Sequence, residues 1–461
     1  MVREKTLNFL APSLHPNTLL DLSFSEPKIG PSAPPSEVIV NHLPIKYGDH
    51  RPVGGVRRMI RTGENQVVVA DDKFQVSTLN LTPLGSETAA PPLVISQESV
   101  KGRSKDTWAG LVPLENGTVS ALTSGLLTYH PFTSKSEPSS SSSSRSRTVL
   151  SPLACLASTP LDPTSFALGG KEVDVSLYDV ERTFGSGGAG GDTEMKEENG
   201  KRKKSGLEPG QIWQAKNVPN NSLALRQPIY HLSLAYLPSS SNLLVSGTKM
   251  GTVRRFDTRQ RKPLSDWKVA KEGGVGCVAP GVEHELFFSD RSNLLGSLDM
   301  RTGKVLYSYS ALTSTPQHLL PLPTFDTTVT PTPGTRRIGL ATICSDATFR
   351  IHTTSTPPEL QGVKGNWGEG NAKKGEVVGM IGGAGVGEGI FRGWGEREVV
   401  VEKKERGEGE GDENEDDNED EEEVWDGMEE FEDAGEEESD EEDGDVEEHP
   451  EKPLKKKTRK I

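Results

Sequence analysis

Hydrophobic positions along this chain come in short runs, each closed by a glycine or a polar turn and followed by a second short run. Residues 243–257, LLVSGTKMGTVRRFD, show the unit most clearly. An apolar strand leads into a turn built on Gly247 and Gly251, and a second strand closes on Phe256 and Asp257, which predicts a β-hairpin. The unit returns at 285–299 as ELFFSDRSNLLGSLD, where Asp299 stands 42 residues after Asp257. Weaker copies are SFALGGKEVDVSLYD (165–179), GLATICSDATFRIH (339–352), WAGLVPLENGTVSALTSG (108–125) and QVVVADDKFQVSTL (66–79).

Six such units predict an all-β chain, because short strands at regular spacing with turn signals build a sandwich, a barrel or a propeller. The 42-residue step selects a WD-repeat-like β-propeller, whose blades recur every ~40–45 residues. Seven blades are expected. The seventh must come from residues before 60, from the region 360–400, or from both ends closing together. The Pro-rich stretch EPKIGPSAPPSEV (26–38) is expected to replace or obscure the first strand. Two low-complexity segments, SKSEPSSSSSSRSR (134–147) and GSGGAGGDTEMKEENGKRKKSG (185–206), break the period. They cannot bury enough apolar surface to offset chain ordering and are expected as mobile rim loops. The organisation expected is a propeller over 1–398, with insertions near 134–147 and 182–210 and a Gly-rich segment at 361–398. A disordered acidic tail, 399–461, then ends in a basic run.

Composition agrees with a loop-rich chain: hydrophobic residues make up 32%, and Gly and Pro number 49 and 32. The net charge of −16 conceals two regions, because residues 401–450 hold 29 acidic and three basic residues, a balance of −26 that leaves +10 elsewhere. A basic body with an acidic tail suits partners of both signs. Cys155, Cys277 and Cys344 each lie in an apolar run without a Cys-x-x-Cys spacing. They read as small buried residues in a reducing compartment. The N-terminus lacks the apolar stretch of a secretory signal and no 18-residue apolar run occurs, so a soluble intracellular protein is expected.

The stretch GTKMGTVRRFDTRQRKPLSDWK (247–268), then GGVGCV (273–278) and EHELFFSDRSNLLGSLDMRTGKV (283–305), resembles the WD-repeat nucleolar factors of large-ribosomal-subunit assembly. Its distinctive parts are the run from Asp257 to Pro263, the triplet Asp266–Trp267–Lys268, and Asp299, Arg301, Thr302 and Gly303. The tail element EEVWDGMEEFED (422–433), ahead of a basic C-terminus, is similar to the same family. The resemblance covers residues 210–355 and the tail best. It implies a seven-bladed propeller without catalysis that binds pre-60S particles, through protein or rRNA, and is stripped off by a nuclear AAA-type ATPase.

Arg254, Arg255, Arg259, Arg261 and Lys262 place five positive charges within nine residues. Side chains alternate across a strand, so Arg254 and Arg255 cannot share a face. The cluster reads as a contact to rRNA phosphates or an acidic partner, or as a solvated blade edge with arginine paired to Asp257. Trp267 reads as a partner anchor or as blade packing. Val424, Trp425, Met428 and Phe431 are the large apolar residues of the acidic tail, and their spacing suits one helical turn on a partner. The alternative there is an inert tail. The basic runs GKRKKSG (200–206) and KPLKKKTRK (452–460), the latter with Lys455, Lys456, Lys457, Arg459 and Lys460, read as signals for a nuclear import receptor.

No catalytic constellation or metal-ligand spacing stands out, and no cofactor, membrane or small-molecule substrate is expected. The glycines of 185–190 satisfy G-x-G-x-x-G only formally, since no strand precedes them and no helix follows. The stabilising Gly-His dipeptide of WD repeats is missing, which leaves strand pairing and apolar packing to hold the blades. The leading expectation is a non-catalytic nucleolar scaffold. The alternative is a nuclear WD-repeat adaptor, either a ubiquitin-ligase substrate receptor or a histone-binding chaperone.

Overall fold

The structure, a computed structural model, describes residues 2–26, 36–84, 90–132, 144–185, 207–270, 273–309, 312–323, 336–358 and 374–399. The chain divides into two units, Met1–Val401 and Glu402–Ile461. The second lies wholly outside the described residues.

The described residues form seven antiparallel blades of four strands each, one of which gains a short fifth strand. From the inner strand outward, blade 5 runs His231–Tyr236, Leu243–Thr248, Thr252–Asp257 and Ser265–Lys268. Inner strands of successive blades neighbour one another, as Leu153–Thr159 of blade 4 neighbours His231–Tyr236 and these in turn neighbour Val275–Pro280 of blade 6. Each of the seven hydrophobic clusters joins two adjacent blades. One joins Leu177 and Trp213 of blade 4 to Leu244 and Phe256 of blade 5, and the next joins Val245 and Val253 of blade 5 to Leu286 and Phe288 of blade 6.

Second strands are therefore packed on both faces. Gly117–Leu122 and Glu285–Asp290 are buried at every position, which explains the unbroken apolar run Leu286–Phe288 in the second of them. Five of the six sequence units are the second and third strands of a blade. The copy at 108–125 is displaced by one strand, because Trp108–Pro113 is the inner strand of blade 3 and Gly117–Leu122 its second.

Strands from both ends of the first unit build blade 1. Ile390–Val399 is its inner strand, followed outward by Val2–Pro12, Thr18–Ser25 and Val38–Pro44. Leu10 pairs with Ile390 and Phe9 with Phe391. Phe9 also meets Phe349 of blade 7 at 4.9 Å between ring centres, and Arg392 Nη1 donates to Asp21 at 3.0 Å. The expectation that the Pro-rich stretch displaces the first strand is thus corrected. Residues 27–35 lie outside the described residues and connect two regular strands. The Gly-rich region 361–398 likewise contributes Val377–Gly382, the outer strand of blade 7, as well as the closing strand.

The boundary of the first low-complexity insertion also moves. Arg145–Thr148 is the outer strand of blade 3, because Leu126–Tyr129 supplies it with a complete antiparallel partner. Arg145 and Arg147 then donate to the carbonyls of Phe184 and Thr183 in a helix, Val180–Phe184. Residues 186–206 lie outside the described residues.

Histidine holds more of the fold than the sequence suggests. His231 opens the inner strand of blade 5 behind Tyr230 instead of a glycine, is 2% exposed, and bonds through Nδ1 to Ser246 Oγ at 2.9 Å. His130 with Ser120 and His352 with Thr342 repeat the buried imidazole–hydroxyl pair in blades 3 and 7. These pairs add buried hydrogen bonds to the strand pairing and apolar packing expected to hold the blades.

Candidate interaction surface

Antiparallel topology gives the ring two faces. The turns between second and third strands, and the links from one blade to the next, lie on what we call the upper face. The links between third and outer strands lie on the lower face, and the run 258–264 of blade 5 is one of them.

Strand alternation sends the first two cluster arginines to different neighbours. Arg254 is 3% exposed on the side facing blade 4. Its Nε donates to Asp266 at 3.2 Å and its Nη1 to Asn217 Oδ1 at 3.3 Å. Arg255 faces blade 6, where Nη1 donates to the Met300 carbonyl at 2.9 Å. Both guanidiniums tie blades together, with alkyl stems in apolar surroundings and polar heads on specific acceptors.

The turn that follows is no free patch either. Arg259 grips the carboxylate of Asp257 with Nε and Nη2, the latter at 2.7 Å, while its backbone N–H donates to the same group at 3.0 Å. That grip holds the Asp257 carboxyl below the usual carboxylate range. Asp299 and Arg301 repeat the motif one blade on, with contacts at 2.8–3.1 Å. Arg261 donates from Nε to the Gln214 carbonyl of blade 4 at 3.0 Å. Lys262 is exposed and is the one cation of the five without a side-chain partner among the described residues. Trp267 lies half-buried between blades 5 and 6, flat against Gly303, where an added Cβ would come within 2.4 Å of the indole. Gly303 has φ +71°, so glycine alone meets both demands there.

The central channel encloses a cavity of about 600 Å³. Arg58 and Glu388 of adjacent blades pair in its wall at 2.8 Å, Arg58 Nη2 donates to the Trp108 carbonyl, and His318 Nε2 lies 3.1 Å from the Gly389 carbonyl. Cys155, buried, and Cys277, half-buried, both line the channel, and Cys344 is buried elsewhere. Burial pushes the Cys155 thiol up to about 12 and the Cys277 thiol up to about 11, which keeps both protonated and unreactive near neutrality. Among the described residues no group of three His, Cys, Asp or Glu is placed to hold a metal ion, and no helix is long and apolar enough to cross a membrane. The tail residues Val424, Trp425, Met428 and Phe431, and the basic residues Lys455, Lys456, Lys457, Arg459 and Lys460, lie outside the described residues.

Unpaired surface cations gather instead on blade 2, in a region the sequence reading passed over. The segment Lys101-Gly-Arg103-Ser-Lys105 alternates charge with small residues in the link between two strands, and all five positions are exposed. That alternation was visible as sequence. It was masked by Trp108, which drew the unit boundary past it.

These features define a seven-bladed, WD-repeat-like β-propeller with a polar channel and interblade arginine ties. In sequence the chain is similar to Ribosome biogenesis protein NSA1 of Meyerozyma guilliermondii, 30% identical over 147 residues that cover 31% of this chain and 33% of that protein. The match bears out the resemblance to the WD-repeat ribosome-biogenesis factors, and the chain spans about a third of the relative's length. No family model matches the chain. Among solved structures, a chain from "Crystal Structure of Mitotic Checkpoint Complex" is 12% identical with a TM-score of 0.45, over 71% of this chain and 77% of that one.

Proposed function

We propose that this protein is a non-catalytic propeller scaffold of ribosome biogenesis, acting in the nucleolus as an assembly factor for the pre-60S particle and in rRNA processing. The observation that carries the reading is the 147-residue similarity to a ribosome biogenesis protein. The fold supports it. The seven blades meet through apolar clusters and buried hydrogen bonds, and the two faces and the rim remain as broad surfaces for partners. Propellers serve many functions, so the reading rests on the sequence match and not on the fold. Its finer parts are entry through an import receptor by way of the C-terminal basic run, and release from the particle by a nuclear AAA-type ATPase.

Sucrose-gradient sedimentation of nuclear extract containing the tagged protein tests the reading, with and without RNase. The expected result is co-sedimentation with the large-subunit precursor. Confinement to light fractions under both conditions overturns it and favours the adaptor reading. Inactivation of the ATPase should then enrich the protein on late particles. An unchanged distribution removes that step from the proposal.

A further inference from the structure

Six cations on the upper face of blade 2 share one end of that blade. Arg51 lies in the link entering the blade, Arg57 at the start of its inner strand Val56–Arg61, and Lys73 in the turn between its second and third strands. Lys101, Arg103 and Lys105 lie in the link leaving it. All six are exposed, and none has an ion-pair or side-chain hydrogen-bond partner among the described residues.

Hydrogen bonds hold these three segments against one another. The carboxylate of Asp71, 0% exposed, accepts the N–H groups of Gly54, Lys73 and Gln75 at 2.7, 2.9 and 2.8 Å. Asp71 thereby fixes both the entering link and the turn. The leaving link is tied by Val100 N–H to the Phe74 carbonyl at 2.8 Å, and Gly102 lies on the Phe74 ring, with an added Cβ only 2.8 Å away. Arg51 is anchored by its backbone, whose N–H donates to Gln97 Oε1 at 2.9 Å and whose carbonyl accepts from Gln97 Nε2 at 3.0 Å.

Three exposed or half-exposed carboxylates without an ion pair among the described residues share the region, beside Glu388 and Glu98, which pair with Arg58 and His130. Asp72 accepts from Gly55 N–H at 3.0 Å, and Asp106 accepts from Arg103 N–H at 2.8 Å and from the Ser124 hydroxyl at 2.9 Å. Asp49 is the third. The cations outnumber these three two to one and sit on rigid backbone. Beside the cations opens a cavity of about 550 Å³, lined by Arg57, Arg58, the half-buried Phe74 ring and Trp108 together with Asp72 and Asp106.

We propose that this end of blade 2 binds single-stranded RNA, with phosphates on the six cations and a base against the aromatic wall of the cavity. Positive charge alone would suit an acidic peptide equally. The cavity with its aromatic wall decides for nucleic acid, which offers phosphates and planar rings at a short, fixed interval. The choice of RNA over DNA rests on the ribosome-biogenesis reading.

The test is fluorescence anisotropy of a labelled 20-nucleotide single-stranded RNA with the purified full-length protein, across a range of salt. The triple variant K101A/R103A/K105A is compared with R259A/R261A/K262A on blade 5. Thermal melts confirm that both remain folded. The blade 2 variant is expected to bind more than tenfold more weakly, with the log–log salt dependence shallower by about 2, since each phosphate contact on a single strand contributes ~0.7. The blade 5 variant should bind within twofold of the parent. Equal binding by the blade 2 variant and the parent overturns the proposal, as does equal loss in both variants or displacement of RNA by polyglutamate at matched charge. Sedimentation separates this from the scaffold reading. Particle association with RNA binding insensitive to blade 2 refutes only the RNA surface, whereas RNA binding through blade 2 by a protein found only in light fractions refutes only the scaffold.

Discussion

Blades 2 and 5 each carry a cluster of basic residues, and the fold uses them in opposite ways. In blade 5 the cluster begins on a third strand, where both faces meet a neighbouring blade, so Arg254 and Arg255 are drawn inward to tie blades 4 and 6 to their own. In blade 2 five of the six cations sit on links and a turn, with Arg57 at the start of the inner strand, and Asp72 and Asp106 accept from backbone N–H groups. Position within the blade, not the number of charges in a row, decides whether a cation ties the fold or faces a partner. A basic run is a surface only when the strand that carries it has a free face.

The largest effect that sharpens this contrast is expected from Asp71→Ala. That change orphans three N–H groups, those of Gly54 and Gln75 in a buried setting and that of Lys73 in a part-buried one, where each unsatisfied buried donor costs ~1–3 kcal/mol. Solvent access through the relaxed loops offsets part of the sum, so a loss of about 3 kcal/mol is expected in urea unfolding. RNA affinity should fall as well, since Asp71 positions the turn and link that carry Lys73 and Arg51. Unchanged stability would show that these loops are held by other contacts and would remove the rigid frame from the blade 2 surface.

Arg254→Ala comes next. Truncation leaves Asp266 without its ion pair, but that side chain is 32% exposed and water takes up part of the loss. About 2 kcal/mol is expected, below the ~3–5 kcal/mol of a fully buried pair, with no change in RNA anisotropy. A variant that weakened RNA binding while keeping its urea midpoint would reverse the comparison and return function to blade 5.

The contrast also explains what was legible in the sequence. Second strands such as Glu285–Asp290 are buried on both faces and announce themselves as apolar runs. Outer strands such as Ser265–Lys268 and Arg145–Thr148 are half-exposed and polar, so they merge into loops or low-complexity sequence. The closing strand Ile390–Val399 was hidden for a different reason. Its partner lies almost the whole chain away, and no local pattern records a pairing such as Phe9 with Phe391. For the interaction surface, the sequence displayed the charges of 254–262 but not their partners. Whether an arginine meets Asn217 or solvent depends on the neighbouring blade.

The pH response gives a third handle on blade 5. Burial, and then the positive charge of Arg254, lower His231 to about 3 from the ordinary 6.5. Between those values only the unfolded chain takes up the proton. Stability from this residue is therefore complete above about pH 6.5 and declines as pH falls toward 3, by at most about 1.4 kcal/mol per pH unit. His352 is lowered likewise and adds to the slope. Urea midpoints between pH 7 and 5 should fall in the parent, and less steeply in Arg254→Met, where removal of the charge lets His231 protonate more readily in the fold. Parallel slopes would show that Arg254 does not act on His231.

The smallest effect is the most discriminating, because one motif occurs twice in different surroundings. Asp257 with Arg259 and Asp299 with Arg301 make the same carboxylate–guanidinium grip, yet the Arg259 side chain is 73% exposed and that of Arg301 is 11%. Arg301 also donates to the Pro358 carbonyl at 2.7 Å, a bond with no counterpart at Arg259 among the described residues. Removal of Arg301 should cost about 1 kcal/mol, the net value of a protected hydrogen bond. Arg259→Ala should leave the urea midpoint unmoved, because an exposed pair of this kind is screened by water and salt. Arg259 would then be the one arginine of its cluster that the fold can spare. If Arg259→Ala instead destabilises as much as Arg301→Ala, its exposed grip is structural too, and the blade 5 cluster belongs wholly to the scaffold. If it leaves stability unmoved but weakens particle association in the gradient, Arg259 and Lys262 form a second and smaller contact on the lower face.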